Sequence, residues 1–169
     1  MRLSRCLTAC AAAAALCLTA TAIPAAEQSA AQSQKQIDIA AARAQRKAIV
    51  AANMQLSDQE AQGFWPLYEA YEAKMDKLDD RHAAEIKAYA KAYETLTDAD
   101  AKKKLDEVMA IKQARLSVQK QYIPKFTAVL SPIKVTRFYQ IDNKLRAMVQ
   151  CDIAQIVPLA RPGKSTVSQ

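Results

Sequence analysis

Leu56-Ser57-Asp58-Gln59-Glu60-Ala61-Gln62-Gly63-Phe64-Trp65-Pro66-Leu67-Tyr68-Glu69-Ala70-Tyr71 is the stretch that decides the fold. An apolar residue precedes Ser57 and Glu60 follows it by three positions, the pattern of a helix N-cap with its capping box. From there Phe64, Leu67, Tyr71, Leu78, Ile86, Tyr89 and Tyr93 recur at threes, fours or their sums, with Met75 and His82 in the gaps. That period is helical and carries a helix from Asp58 to about Thr95.

Two further starts share the form Leu-Ser/Thr-x-x-x: Leu96-Thr97-Asp98-Ala99-Asp100 and Leu130-Ser131-Pro132-Ile133-Lys134. Each places a hydroxyl at the N-cap, and Pro132 sits at the first helical position, where no N–H is needed. The sequence therefore predicts helices at about 35–53, 58–95, 98–129 and 132–156. Pro66 and Pro124 interrupt two of them and predict a bend or a local break. With only 2 Gly in 169 residues, sandwiches, barrels and doubly wound sheets lack their turns, and a Gly-rich phosphate loop is excluded.

Residues 51–100 carry 11 acidic and 5 basic groups, whereas 101–150 carry 3 acidic and 11 basic. An acidic segment followed by a basic one predicts helices folding back on each other, a long antiparallel hairpin. Much of the basic surface then has an internal partner, which argues against nucleic acid. At 1.5 Å per residue the two middle helices reach about 55 and 48 Å, longer than a compact globule of this size. An elongated chain with a thin core follows, and a homodimer is its natural completion.

Arg2 and Arg5, the apolar run Cys6 to Ile23 and the small residues around Ala20-Thr21-Ala22 form the pattern of a Sec-type signal peptide. The expected organisation is a signal peptide at 1–26, a flexible segment at 27–34, a helical domain at 35–157 and a disordered tail at 158–169. The expected location is the periplasm. Three of the four cysteines leave with the signal, so Cys151 has no intramolecular partner and helix packing must supply the stability.

These features together resemble the Spy/CpxP-like superfamily of periplasmic helical stress proteins, often called the LTxxQ family. The run Phe64-Trp65-Pro66-Leu67-Tyr68 is similar to Phe-Trp-Pro versions among its more distant members. The third helical positions here are Glu60, Asp100 and Lys134, where the family motif has Gln. The resemblance implies a cradle-like antiparallel homodimer. It also implies a choice of functions on one scaffold, among them ATP-independent chaperones, inhibitors of sensor kinases and metal-responsive sensors.

The functional expectation is a chaperone-like protein that binds unfolded or stress-damaged clients; the alternative is a regulatory adaptor that docks an envelope stress sensor domain. Client-binding candidates are Trp65 and Tyr68, as the exposed part of an otherwise core aromatic band, and the basic group Lys134, Arg137 with Tyr139. Membrane contact is expected to be peripheral at most. No catalytic residue is assigned, because the carboxylates lie on helix faces with no pocket to shift them. No cofactor is implied. His82 shares a helix face with Asp79 and Glu85, but one His and two carboxylates are too few donors to commit to a metal site.

Overall fold

The computed structural model describes the backbone of residues 25–162, with the side chains of Gln34 and of residues 40–162. The signal-peptide assignment lies outside the described residues except for its last two positions, as does the tail beyond Pro162. The described chain is all-α, with α1 at Ala25–Met54, α2 at Asp58–Ala92, α3 at Asp98–Thr127 and α4 at Pro132–Ile156. A 3-10 turn at Tyr93–Thr95 extends α2, and the described residues contain no strand. Residues 27–34, expected as a flexible segment, belong to α1; they are Ala, Gln, Glu and Ser without Gly or Pro.

The chain divides into one unit up to Ala42 and a second from Arg43 onward. The first holds the beginning of α1, whose residues 40–42 are exposed. The second contains the core and everything described below.

The helix starts follow their sequence signals with one exception. Ser57 accepts from the Glu60 N–H at 3.3 Å, and its own N–H donates to Glu60 Oε2 at 2.8 Å, which closes the capping box. Thr97 accepts from the Asp100 N–H at 3.1 Å. Ser131 makes no side-chain cap; Pro132 already removes one orphan N–H, and the Ser131 carbonyl accepts from Val135 at 3.0 Å. Neither proline breaks its helix: α2 runs through Pro66 and α3 through Pro124, both on exposed positions where water can reach the freed carbonyls.

Ion pairs and side-chain hydrogen bonds give the relative directions. Lys74 meets Gln121, Asp79 meets Arg115, Arg81 meets Glu107 and Glu85 meets Lys104, so α3 runs antiparallel to α2. The contacts Glu60–Lys134, Tyr71–Asp142 and Asp79–Arg146 ascend together, so α4 runs parallel to α2. The second half of α1 is antiparallel to α2, through Lys47–Glu69, Arg46–Glu72 and Arg43–Asp76. The acidic helix is thus served by cations from all three of the others.

Where the four meet, Val50 and Met54 of α1, Phe64, Tyr68, Tyr71 and Met75 of α2, Tyr122 and Phe126 of α3, and Phe138 of α4 form one buried cluster. Its rings touch mostly edge to face, with Phe126 and Phe138 closest at 4.8 Å between centroids. From α1 only the last turns contribute to this core, through Val50 and Met54.

The described start of the tail is tied down. Tyr89 and Tyr93 hydroxyls donate to the Pro158 and Leu159 carbonyls at 3.0 and 3.1 Å, and Arg161 pairs with Glu94 at 2.6 Å. Residues 158–161 were expected to be disordered; the two tyrosines and the glutamate at the end of α2 supply the hydrogen bonds that a bare tail lacks.

Gly63 is where α2 passes the end of α3, and an added Cβ would meet Val129 Cγ1 at 3.0 Å and Cβ at 3.1 Å. A β-branched side chain fixed this close to the backbone has little room to yield. Gly63→Ala gains about 1 kcal/mol of helix propensity but overpacks by about 1–3 kcal/mol. Urea denaturation should show Gly63→Ala destabilising in the wild-type background and stabilising in a Val129→Ala background. A stabilising effect in both would show that the close approach costs nothing.

Candidate binding surface

The residues expected to bind clients occupy other roles. Tyr68 is 3% exposed within the core, so it is not presented to a partner. Trp65 is half-buried, edge-on to Phe64 and Tyr68 at 5.1 and 5.4 Å, with the Lys47 ammonium 5.1 Å above its ring. Its indole packs locally because α1 lies over it. Tyr139 donates its hydroxyl to the Gln119 carbonyl at 2.9 Å and ties α4 to α3.

Lys134 and Arg137 finish α1. Gln55, just past the last turn, has φ 50, a left-handed conformation that a non-glycine residue adopts at a cost. Lys134 Nζ donates to the Gln55 carbonyl at 3.0 Å, and Arg137 Nε donates to the Asn53 carbonyl at 2.5 Å. Lys134 also pairs with Glu60 at 2.5 Å, which holds the Glu60 carboxyl below its ordinary range together with Ser57. Cations on the end carbonyls of one helix and the cap acid of the next are structural pins.

Beneath them lies a charge network that periodicity did not reveal. Arg146 donates to Asp142 at 2.9 Å, to Glu72 at 3.1 Å and to Asp79 at 3.2 Å. Arg46 closes on the other oxygen of Glu72, and Arg115 donates to Asp79 at 2.6 Å. The Tyr71 hydroxyl donates to Asp142, itself 2% exposed, at 2.7 Å. Burial lifts the Glu72 carboxyl above its ordinary range against the pull of Arg146 and Arg46. Burial alone would lower Arg146, but Asp142 and Glu72 outweigh it and raise it. A cavity of about 240 Å³ opens beside this network between Arg43, Arg46, Lys47, Glu69, Glu72 and Asp76. Each of these charges is already engaged by another of the set, so the cavity presents no unpaired group to a ligand.

His82 gains no metal-binding company, since Asp79 is held by Arg115 and Arg146 and Glu85 by Lys104. Burial and the nearby Arg115 depress its basicity. The described residues contain no group of three His, Cys, Asp or Glu arranged to hold a metal ion.

The surface that is open lies elsewhere. On α3, Leu105, Met109, Leu116 and Ile123 are 56, 52, 42 and 45% exposed, in steps of four, seven and seven along one line. Lys112 and Lys120 are exposed beside them. Met148, Val149 and Ile156 on α4 are exposed as well. In the sequence Leu105, Leu116 and Ile123 have the spacing of a core stripe, because spacing cannot say which side of a helix meets its neighbours. The signal that separates them is a second row, Ile111, Tyr122 and Phe126, which takes the buried side. No protein-family model, curated protein or solved structure matches the chain.

The buried phenols set the alkaline limit. Burial raises the hydroxyls of Tyr68, Tyr71 and Tyr139 well above the ordinary tyrosine value. In the unfolded chain they ionise near pH 10, while the folded chain keeps its protons. Stability is therefore full below about pH 10 and falls as the pH rises further, by about 1.4 kcal/mol per unit for each such group. Tyr68→Phe should leave neutral stability nearly unchanged and remove one proton from the slope above pH 10, read by urea titration at several pH values. An unchanged slope would show that Tyr68 ionises in place.

Proposed function

We propose that the protein is a periplasmic, ATP-independent holding chaperone that binds unfolded chains on the outer face of α3. One observation carries the reading: four large apolar side chains stand exposed in a row on a firmly packed helix, with lysines among them. An apolar row of this kind gains free energy by covering apolar segments that a folded client would bury. Lysines beside it speed the encounter without fixing one partner. The signal-peptide pattern supports the location, and the likeness to Spy/CpxP-like proteins supports the class of function. The work of binding moves from Trp65, Tyr68, Lys134, Arg137 and Tyr139 to α3, because those five serve the fold.

The test is light scattering by an aggregating client with near-equimolar mature protein, compared with Met109→Glu and Leu116→Glu. Wild type should suppress scattering, and each variant should lose most of the effect while keeping its helical circular dichroism. No suppression of several unrelated clients by folded wild type overturns the reading. A single saturable partner recovered by crosslinking, with indifference to unfolded clients, would establish the regulatory adaptor in its place.

A homodimer belongs to the same proposal. Val149 and Ile156 continue the α4 row of Phe138 and Leu145 but are 51 and 76% exposed, apolar area that a second copy would cover. Sedimentation equilibrium should show a dimer that Val149→Asp dissociates. A monomer at every concentration removes this part alone.

A further inference from the structure

The α3 row has a geometry more specific than apolar exposure. Steps of four, seven and seven from Leu105 to Ile123 are the a and d positions of a heptad, with Lys112 and Gln119 at the intervening d positions. Seven residues advance about 10.5 Å along a helix and drift only about 20° around it, so the row is one straight seam of roughly 27 Å. Such a seam matches the side-chain ladder of another helix. A strand repeats on one face every ~7 Å and falls out of register with it. Nor do the described residues contain a sheet edge that could bind a strand through its main chain.

Charge narrows the partner. Asp106 is the acidic residue flanking the seam and is held by Lys102 at 2.5 Å. Lys112 and Lys120 make no ion pair among the described residues. The seam is therefore cationic, with one lysine inside it and one at its edge. A second copy fits it poorly: stacking Leu105 on Ile123 of another chain sets the two Lys112 ammonium groups about one turn apart. An anionic membrane suits it less than a helix does, because Gln113 and Ser117 confine the apolar line to a narrow strip.

We infer that the α3 seam binds client segments as amphipathic helices, in coiled-coil register, with acidic residues flanking their apolar stripe. This rests on the holding-chaperone reading and names its client class. Apolar residues at a and d fill the gaps between Leu105, Met109, Leu116 and Ile123, and carboxylates beside them meet Lys112 and Lys120. The seam itself is already helical and fixed on α2, so only the client pays the ordering entropy.

The experiment uses the mature full chain and three fluorescently labelled three-heptad peptides. One has Leu at a and d with Glu at e and g, the second carries Lys for Glu, and the third is the acidic peptide scrambled. Anisotropy should show the acidic heptad peptide binding at least tenfold tighter than the other two, and circular dichroism should show helix gained on mixing. Lys112→Glu combined with Lys120→Glu, both exposed changes, should reverse the preference between the acidic and basic peptides. Met109→Glu should weaken both.

Equal binding of the acidic and scrambled peptides, or an unreversed preference in the double variant, overturns the inference. So does a wild-type dimer that Met109→Glu dissociates, which would give the seam to a second copy. Seam-dependent binding to phosphatidylglycerol vesicles that displaces the acidic peptide would give it to lipid and overturn the inference equally. Client aggregation still suppressed in any of these cases leaves the holding function standing, and its loss would remove both.

Discussion

Arg146 is the constraint on which the rest depends. One guanidinium from α4 reaches Asp142 on its own helix and Glu72 and Asp79 on α2. Glu72 in turn holds Arg46 of α1, and Asp79 holds Arg115 of α3. Four helices thus converge on one chain of alternating charge. Taking those groups out of water is costly and is offset only when every oxygen and N–H finds its partner. The network comes close: Arg115 Nε is the one buried side-chain nitrogen or oxygen left without a partner among the described residues. A slipped helix would strand several charges at once, so the network fixes register more firmly than the aromatic cluster beside it could.

That register explains how the other cations are used. Because α4 lies parallel to α2 and beside the end of α1, its first turns bring Lys134 and Arg137 to the open carbonyls at Asn53 and Gln55. A strained left-handed residue and an unfinished helix end are stabilised together at one corner. The positive charge excess of the second half of the chain is thereby largely consumed inside the fold. Among the described residues of this half, Lys112, Lys120, Lys125 and Lys144 are in no ion pair, and the first two lie along the exposed apolar row of α3, which gives them their meaning as recognition groups.

The fold was legible in the sequence wherever the signal was local. The capping box of Ser57 and Glu60, the Thr97 cap and Pro132 at a helix start mark their boundaries within a residue, because each satisfies orphan backbone groups with neighbours a few positions away. The complementary charges of the middle segments announced the antiparallel pairing. The site was not legible. Trp65 and Tyr68 look like a recognition band and are packing, whereas Leu105, Leu116 and Ile123 look like core and are surface.

The sequence by itself determined four helices, the starts of α2, α3 and α4, the acidic and basic halves and an all-α class, since capping, period and charge act over a few residues. Only the tertiary structure decided which row of each helix is buried and which cation is left unpaired. On α3 two apolar rows compete, and the helix can turn only one of them inward. Arg115, fastened to Asp79, turns Ile111 and Tyr122 to the core and leaves Leu105 and Leu116 in water. That choice is made by a contact between residues 36 positions apart, which no window along the chain contains.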